Sequence, residues 1–246
     1  MYNFFVNVEN KNGDCYYIEG SDYNHIKNVL RMREGDVFLV SCQNASDLCR
    51  IKGFDGDCVV VEILEKDFKN TNLPINIYLF QGLPKSDKME LIIQKAVELG
   101  VHTVVPVSMK RCVVKLDDKK KNSKRERWQS IAHAAAKQSK CSFVPQVNDV
   151  LTYGEALKLA QTLDLVLVPY ENKEGMTATL DALKKIKRGM NVGIIIGSEG
   201  GFEENEIEKA IAIGALPISL GARILRTETA AITAMSMCML YSEINL

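Results

Sequence analysis

The segment Asn191-Val192-Gly193-Ile194-Ile195-Ile196-Gly197-Ser198-Glu199-Gly200-Gly201-Phe202 decides the fold of this chain. Its first half is a continuous apolar run, which is typical of a strand in a parallel sheet that is covered on both faces. Its second half is a glycine turn, and another glycine turn follows within Leu220–Thr229. Because each turn leads into a segment with helical periodicity, the two turns together predict a ligand cradle.

The first glycine turn differs from the common nucleotide-binding motifs. Its Gly-x-x-Gly-Gly spacing is not the dinucleotide fingerprint, and the chain has no Gly-Lys-Ser/Thr of a P-loop. Glu203, Glu204 and Glu206 follow, and their charge cancels the attraction of a helix N-terminus for an anion. We therefore expect a neutral or cationic adenosyl ligand, such as S-adenosylmethionine, rather than a phosphate. The alternative is that the glycines only make a close turn and the glutamates only favour the helix dipole.

Composition sets the outer limits. The chain has 246 residues, 46% of them hydrophobic, which is enough for one large domain or two modest ones. It has no run of eighteen apolar residues, and Met1–Glu9 lacks the features of a signal peptide, so we expect a cytoplasmic protein without a membrane partner. Seven scattered cysteines without a Cys-x-x-Cys pair and three separated histidines favour reduced thiols and no metal site.

The formal net charge is zero, but the charges are unevenly distributed. Residues 110–127 contain nine Lys/Arg and three Asp/Glu, whereas residues 197–246 contain three Lys/Arg and seven Asp/Glu. The basic segment is either a solvated helix face or a surface that follows the phosphates of a nucleic acid.

Residues 1–70 and 74–246 have different periodicities. The first part has short segments rich in Val, Ile, Tyr and Phe, separated by Gly-Asp turns, which predicts a small β-barrel with one helix at Asp22–Leu30. The second part alternates strands with longer helices, which predicts an α/β fold. The strands predicted there are Ile75–Gln81, Thr103–Ser108, Leu163–Pro169, Asn191–Ile196 and Leu216–Ser219. The predicted helices are Lys88–Leu99, Ser123–Ser139, Tyr153–Gln161, Thr177–Ile186, Glu203–Ile213 and Glu228–Ser242.

Four blocks of sequence carry a resemblance that covers nearly the whole chain. They are Gln81–Glu90, Gly197–Phe202, Leu220–Ala230, and His25 together with Val29–Asp36. In these blocks the chain resembles the SPOUT-class methyltransferases that modify N3 of a uridine in 16S ribosomal RNA. The resemblance implies a trefoil-knotted parallel-sheet domain behind a PUA-like RNA-binding barrel, a homodimer, S-adenosyl-L-methionine as cofactor, and 16S rRNA or the small ribosomal subunit as partner. Periodicity alone does not predict a knot.

The resemblance also implies which residues hold the cofactor. They are Val168, Pro169, Gly197, Glu199, Gly200, Gly201, Leu220, Gly221, Ile224, Leu225 and Thr227. The glycines would let backbone groups approach the adenosyl group closely, and Leu220, Ile224 and Leu225 would form an apolar wall for the ring. The alternative for these apolar side chains is ordinary core packing.

Methyl transfer to N3 of uridine must overcome the proton that this weakly nucleophilic nitrogen carries. We expect Arg226 to stabilise the negative charge that develops on the uridine. Glu199 or Glu228 would receive the proton. For Glu228 the alternative is a structural role in the first turn of a helix that has Thr227 as its N-cap.

Basic side chains in three segments are expected to hold RNA phosphates. They are Arg31, Arg33, Lys85, Lys88, Arg111, Lys119, Lys120 and Lys121. Asn3 and Cys141 stand where the family usually has arginine, which predicts altered RNA affinity or site choice. The rival functions are a SPOUT enzyme that acts on another RNA position or a ribose oxygen, and an RNA-binding module without catalysis. The nearly all-apolar segment Ala230–Leu240 predicts a helix buried on all sides, by the core or by a second copy of the chain.

Overall fold

The computed structural model describes residues 1–170 and 175–246. It divides the chain into two units, one made of residues 1–72 with 136–144 and the other of residues 73–135 with 145–246. Among the described residues, no helix combines the length and the apolar character that crossing a bilayer requires.

The first unit contains a six-stranded sheet in the order β1-β4-β5-β6-β3-β2. The strands are β1 (Asn3–Phe5), β2 (Lys11–Asn12), β3 (Cys15–Ile18), β4 (Val37–Cys42), β5 (Ala45–Asp55) and β6 (Cys58–Glu65). All neighbours are antiparallel except β1 and β4, which are parallel. Phe4, Tyr16 and Phe38 are almost fully buried in its core. Burial of such side chains is the main stabilising contribution to this unit.

The helical segment predicted at roughly Asp22–Leu30 is confirmed, and the structure adds its helix types. The structure has a short helix, α1 (Gly20–Asn24), followed by a π-helix at His25–Val29. The turn of the π-helix is wider than an α-helical turn, because the Leu30 N–H donates to the carbonyl of His25, five residues earlier, at 2.8 Å. The segment ends at Arg31, whose φ of 53° is left-handed.

Residues 136–144 belong to the first unit through specific hydrogen bonds. The Asn3 side-chain amide donates to the Cys141 carbonyl at 3.0 Å, and the Ser41 hydroxyl donates to the Asn3 side-chain oxygen at 2.9 Å. Asn3 is 4% exposed. The position that the resemblance marks for an RNA-binding arginine is therefore buried in this chain and joins the sheet to a distant segment.

The second unit contains a parallel sheet in the order β10-β8-β7-β12-β11-β13, with β9 beside β8. Its strands are β7 (Asn76–Gly82), β8 (Val101–Ser108), β9 (Gln146–Val147), β10 (Leu151–Thr152), β11 (Leu165–Pro169), β12 (Asn191–Ile196) and β13 (Leu216–Ile218). Ile77, Leu167 and Ile194 are fully buried at its centre. The parallel sheet predicted from continuous apolar runs is thus confirmed.

Six helices accompany this sheet in the described residues. They are α2 (Lys88–Glu98), α3 (Asp118–Ser139), α4 (Tyr153–Ala160), α5 (Gly175–Leu183), α6 (Glu204–Ala212) and α7 (Thr227–Asn245). The predicted helix at Thr177–Ile186 is shifted, because Ile186 lies beyond the last turn of α5. The prediction that the last helix is buried on all sides is wrong for the single chain: Leu240 is 50% exposed and Ile244 is 77% exposed. One face of α7 packs on α2, β7 and β12, and the opposite face is accessible.

Candidate functional site

A cavity of about 890 Å³ opens in the second unit, at the carboxyl ends of β11 and β12 and the start of α7. Ligands of open α/β sheets bind at such strand ends. The cavity is lined by Lys88, Arg111, Pro169, Tyr170, Ile196, Gly197, Ser198, Glu199, Gly200, Gly201, Phe202, Glu204, Ile224, Leu225, Arg226, Thr227 and Ala230. The two glycine turns therefore border one cavity.

Most of the predicted cofactor and catalytic residues lie on this cavity, but four do not. Val168 is fully buried within β11, and Leu220, Gly221 and Glu228 are not part of the lining. Ile224 lines the cavity but is 92% exposed, so its side chain is not a packed wall as it stands. Tyr170 and Ser198 also line the cavity, within the strand end and the glycine turn that the resemblance places at the cofactor. The lining residues that were not expected from the sequence are Ile196, Phe202, Glu204 and Ala230.

Close backbone packing explains the glycines of the first turn. A Cβ on Gly200 would lie 2.9 Å from the Cβ of Arg111. The Arg111 guanidinium also donates to the Gly200 carbonyl at 3.1 Å. Arg111, which we expected on an RNA surface, thus braces the glycine turn and lines the cavity.

The buried carboxylate of Glu206 fixes the segment that carries Arg111. It accepts hydrogen bonds from the backbone N–H of Lys110 and from that of Glu203, both at 2.9 Å, and it is 7% exposed. Glu206 is therefore occupied by a capping box at the start of α6 and by the turn after β8. Glu204 is the glutamate of this helix that faces the cavity.

Thr227 and Gln81 join three elements beneath the cavity. The Thr227 hydroxyl donates to the Gly197 carbonyl at 2.6 Å and accepts from the Gln81 side-chain amide at 2.9 Å. Gln81 is fully buried at the end of β7. The prediction that Thr227 is the N-cap of α7 is wrong, because Arg226 is the N-cap and Thr227 is the first helical residue. The Thr227 hydroxyl donates its hydrogen bond to the glycine turn instead of capping α7.

Replacing Thr227 with valine should destabilise the fold by about 1–3 kcal/mol, because it leaves the buried Gln81 amide without this acceptor and the Gly197 carbonyl without this donor. Denaturant unfolding monitored by circular dichroism measures this change. Thr227→Ser keeps the hydroxyl and should recover most of the loss. Thr229→Val, on the exposed side of the same helical turn, is the matched control. Equal stability of the Thr227 and Thr229 variants would contradict the role of the Thr227 hydroxyl.

Lys88, Glu199 and Glu228 form a charged cluster. The Lys88 ammonium lies 3.3 Å from Glu199 Oε1 and 3.3 Å from Glu228 Oε2, and the Lys85 N–H donates to Glu199 Oε1 at 3.0 Å. Burial alone would raise the pKa of Glu199, but bonds from the N–H groups of Lys85 and Glu199 and from Lys88 lower it below its ordinary value. Desolvation acts to lower the pKa of Lys88, and its hydrogen bonds to the two carboxylates outweigh this and raise it. Lys88 therefore stays an ammonium ion.

The remaining predicted RNA-binding side chains are exposed, except that of Lys121, which is half-buried. Lys119, Lys120 and Lys121 begin α3, where Lys120 lies 3.3 Å from Asp117 and Lys121 lies 2.9 Å from Asp118. Lys85 is exposed before α2, and Arg31 and Arg33 are exposed in the first unit. Over residues 1–170 and 175–246, no group of three or more His, Cys, Asp or Glu could hold a metal ion.

Comparison with known proteins gives a consistent result. The model of the RNA methyltransferase domain family matches residues 71–239, and that of the RNA methyltransferase PUA domain matches residues 18–44. Ribosomal RNA small subunit methyltransferase E of Bacillus subtilis is 41% identical over 90% of this chain and 88% of its own. The enzyme of that name from Mesomycoplasma hyopneumoniae is 35% identical over 97% of this chain and 99% of its own.

A solved structure extends the likeness to the fold. Ribosomal RNA small subunit methyltransferase E of Neisseria gonorrhoeae, bound to S-adenosyl methionine, superimposes with a TM-score of 0.78, at 30% identity over the full length of both chains. The second unit is accordingly a SPOUT-type α/β domain, and the chain carries a PUA-like domain before it. This chain belongs to the RNA methyltransferase family that includes ribosomal RNA small subunit methyltransferase E.

Proposed function

We propose that this protein transfers the methyl group of S-adenosyl-L-methionine to N3 of a specific uridine in the 16S rRNA of the small ribosomal subunit, in the cytoplasm. The observation that carries the proposal is the cavity at the glycine turns, whose lining includes both Arg226 and Glu199. The relatives that share this name and nearly the full length of the chain support it.

The residues of the cavity fit the cofactor. Its volume, about 890 Å³, suits a ligand of this size, and the lack of side chains on Gly197, Gly200 and Gly201 would let an adenosyl group approach the backbone. Glu199 and Glu204 place two carboxylates on the lining that can attract a cationic ligand, and Lys88, Arg111 and Arg226 line the same cavity, so the wall as a whole is mixed in charge. When bound, the sulfonium supplies the methyl group. Pro169, Gly197, Gly200, Gly201 and Leu225 are the lining residues that would hold the adenosyl part.

The chain's own contribution to the reaction is electrostatic. Arg226 is an exposed residue that lines the cavity immediately before the first helical residue of α7. Its guanidinium can donate to a carbonyl oxygen of the uridine and stabilise the negative charge that develops when N3 loses its proton. Glu199, the carboxylate on the lining, takes that proton and passes it to water. Glu228, the other acceptor expected from the sequence, pairs with Lys88 and lies outside the lining.

Mass mapping of small-subunit rRNA from a strain that lacks the protein tests this function. We expect one uridine to lack a base methyl group, and purified protein with S-adenosylmethionine to restore the methyl group at N3. A missing methyl group on a ribose or on another base atom would favour the rival SPOUT activity. If calorimetry detects no binding of S-adenosylmethionine, the alternative of an RNA-binding module without catalysis would be favoured.

The lysines that begin α3 are proposed RNA contacts. Changing Lys119, Lys120 and Lys121 to glutamate should weaken RNA binding and flatten the dependence of log Kd on log salt by about 0.7–0.9 per lost phosphate contact. Fluorescence anisotropy with a 16S rRNA fragment over a salt series measures the slope. The matched control reverses the exposed Lys184, Lys185 and Lys187, which should leave the slope nearly unchanged. Equal slopes in the two triple variants would show that the α3 lysines do not contact RNA phosphates.

We also propose a homodimer. Leu240 and Ile244 expose apolar surface on the outer face of α7, although Ala231, Ala234 and Met235 on its inner face are buried. A second copy of the chain would cover this face. Light scattering measures the mass in solution, and Leu240→Glu should shift it from dimer to monomer.

A further inference from the structure

The two oxygens of the Glu199 carboxylate have different surroundings. The Lys85 N–H and the Lys88 ammonium both approach Oε1, at 3.0 Å and 3.3 Å. Glu199 belongs to the glycine turn that lines the cavity, and its side chain is 26% exposed. Oε1 therefore anchors the side chain to the start of α2. Among the described residues, no other residue is seen to donate to Oε2, which can accept a hydrogen bond from a ligand in the cavity.

A fixed carboxylate distinguishes the pyrimidines by their Watson–Crick edges. Uracil carries an N–H donor at N3, whereas cytosine carries a lone pair there. An ionised carboxylate only accepts hydrogen bonds, so it pairs with the uracil N3–H and repels the cytosine lone pair. Uracil methylated at N3 has lost this donor and fills its place with a methyl group, so the same carboxylate disfavours the product.

The surroundings of Glu199 suit an acceptor that is always ionised. Its lowered pKa makes it a weak base but keeps it charged through the neutral range. The backbone N–H groups of Lys85 and Glu199 contribute most to this lowered pKa, and Lys88 adds to it. Lys88 is the first residue of α2 and is shared with Glu228 in the first turn of α7. The side chain of Glu228 is 14% exposed and lies outside the cavity lining, so its charge holds Lys88 in place instead of meeting the ligand.

We propose that Glu199 selects uridine by accepting a hydrogen bond from its N3–H, and that Lys88 is the positioning residue that holds this carboxylate. The proposal rests on the proposed function and deepens it by assigning the discrimination between uridine, cytidine and the methylated product to one oxygen atom. It also gives Lys88 a role other than the phosphate contact expected from the sequence.

Nucleotide binding to the full-length protein tests this without turnover. Ligand-observed NMR would give the Kd of uridine 5′-monophosphate, 3-methyluridine 5′-monophosphate and cytidine 5′-monophosphate on the protein saturated with S-adenosylhomocysteine. We expect the wild type to prefer the uridine nucleotide. Glu199→Gln, whose amide can either donate or accept, should narrow the uridine-to-cytidine preference by about tenfold or more, as for loss of a charged hydrogen bond.

The Lys88 variants test the positioning role. Lys88→Met should narrow the preference in the same direction, and Lys88→Arg should restore it. Lys95→Met removes a cation of the same helix that pairs with Glu98, and it is the matched control that should keep the preference. Thermal unfolding and calorimetry with S-adenosylhomocysteine check that each variant folds and binds the cofactor product. If Glu199→Gln does not fold, the Lys88→Met and Lys88→Arg pair decides.

Three outcomes would overturn the inference. The first is a wild type without preference among the three nucleotides, including one that binds none of them. The second is an unchanged preference in Glu199→Gln. The third is a Lys88→Met protein that keeps the preference while its RNA affinity loses salt dependence, which would make Lys88 a phosphate contact. The proposed function is tested separately by rRNA mapping. Methylation at N3 by a protein that shows no nucleotide preference would contradict only the role of Glu199. A nucleotide preference together with methylation at another atom would contradict only the proposed reaction.

Discussion

Arg226→Ala is expected to lower kcat by about a hundred- to a thousandfold with S-adenosylmethionine saturating, which corresponds to about 3–4 kcal/mol of transition-state stabilisation. The reason is the position of Arg226, an exposed residue on the cavity lining whose guanidinium can donate to the uridine. Single-turnover transfer of labelled methyl groups to small-subunit rRNA measures the change. Arg226→Lys keeps the charge but not the planar fork, so it should recover only part of the rate.

Arg223→Ala is the matched control for this prediction. Arg223 is an exposed arginine of the same loop and is not part of the cavity lining. We expect its removal to leave kcat within about twofold, as for surface substitutions away from special features. If Arg226→Ala kept full turnover at saturating cofactor, the proposed role of Arg226 would be wrong.

Gly82→Ala is expected to destabilise the fold by about 1–3 kcal/mol and to weaken cofactor binding by about tenfold or more. A Cβ on Gly82 would lie 2.7 Å from the Ser198 backbone nitrogen, 2.9 Å from the Met109 sulfur and 3.0 Å from the Gly197 carbonyl carbon. Because two of these atoms are backbone, the glycine turn itself has to move. Calorimetry with S-adenosylmethionine and thermal unfolding measure the two effects.

The exposed Gly154 provides the control for the glycine substitution. It lies in the first turn of α4, and an added Cβ would meet no atom within 4 Å. Gly154→Ala should therefore leave cofactor affinity unchanged and stability equal or slightly higher, because alanine suits a helix better than glycine. Normal cofactor binding by Gly82→Ala would show that the turn tolerates displacement.

The sequence was most informative where local pattern and burial coincide. The run Asn191–Ile196 is a strand at the predicted residues because every apolar side chain in it is buried. Two-residue strands such as Leu151–Thr152 are too short to show a period, and nothing in Asp22–Leu30 separates a π-helix from an α-helix. These features depend on tertiary contacts, which periodicity does not record.

In the candidate site, too, the sequence predicted local features and missed those that depend on tertiary contacts. Gly197–Gly201 could be placed on the cavity because a glycine turn after a strand has a local signature. The environment of Lys88 could not be predicted, since a lysine at a helix start is typical of a phosphate contact, and the two carboxylates that bind it come from distant turns. The hydrogen bonds of Gln81 and Thr227 could not be predicted either, because they join β7, the glycine turn and α7, which meet only in the folded chain.

The hydrogen bonds that Asn3 and Ser41 make with Cys141 bear on how the chain can be synthesised and divided. A fragment that ends at residue 72 would leave the buried Asn3 amide without its acceptor, so the amino-terminal unit is not a separable piece of contiguous chain. On the ribosome, its sheet cannot complete these bonds until residue 141 has emerged. An isolated amino-terminal unit for RNA-binding studies therefore needs a linker that joins residues 136–144 to the first 72.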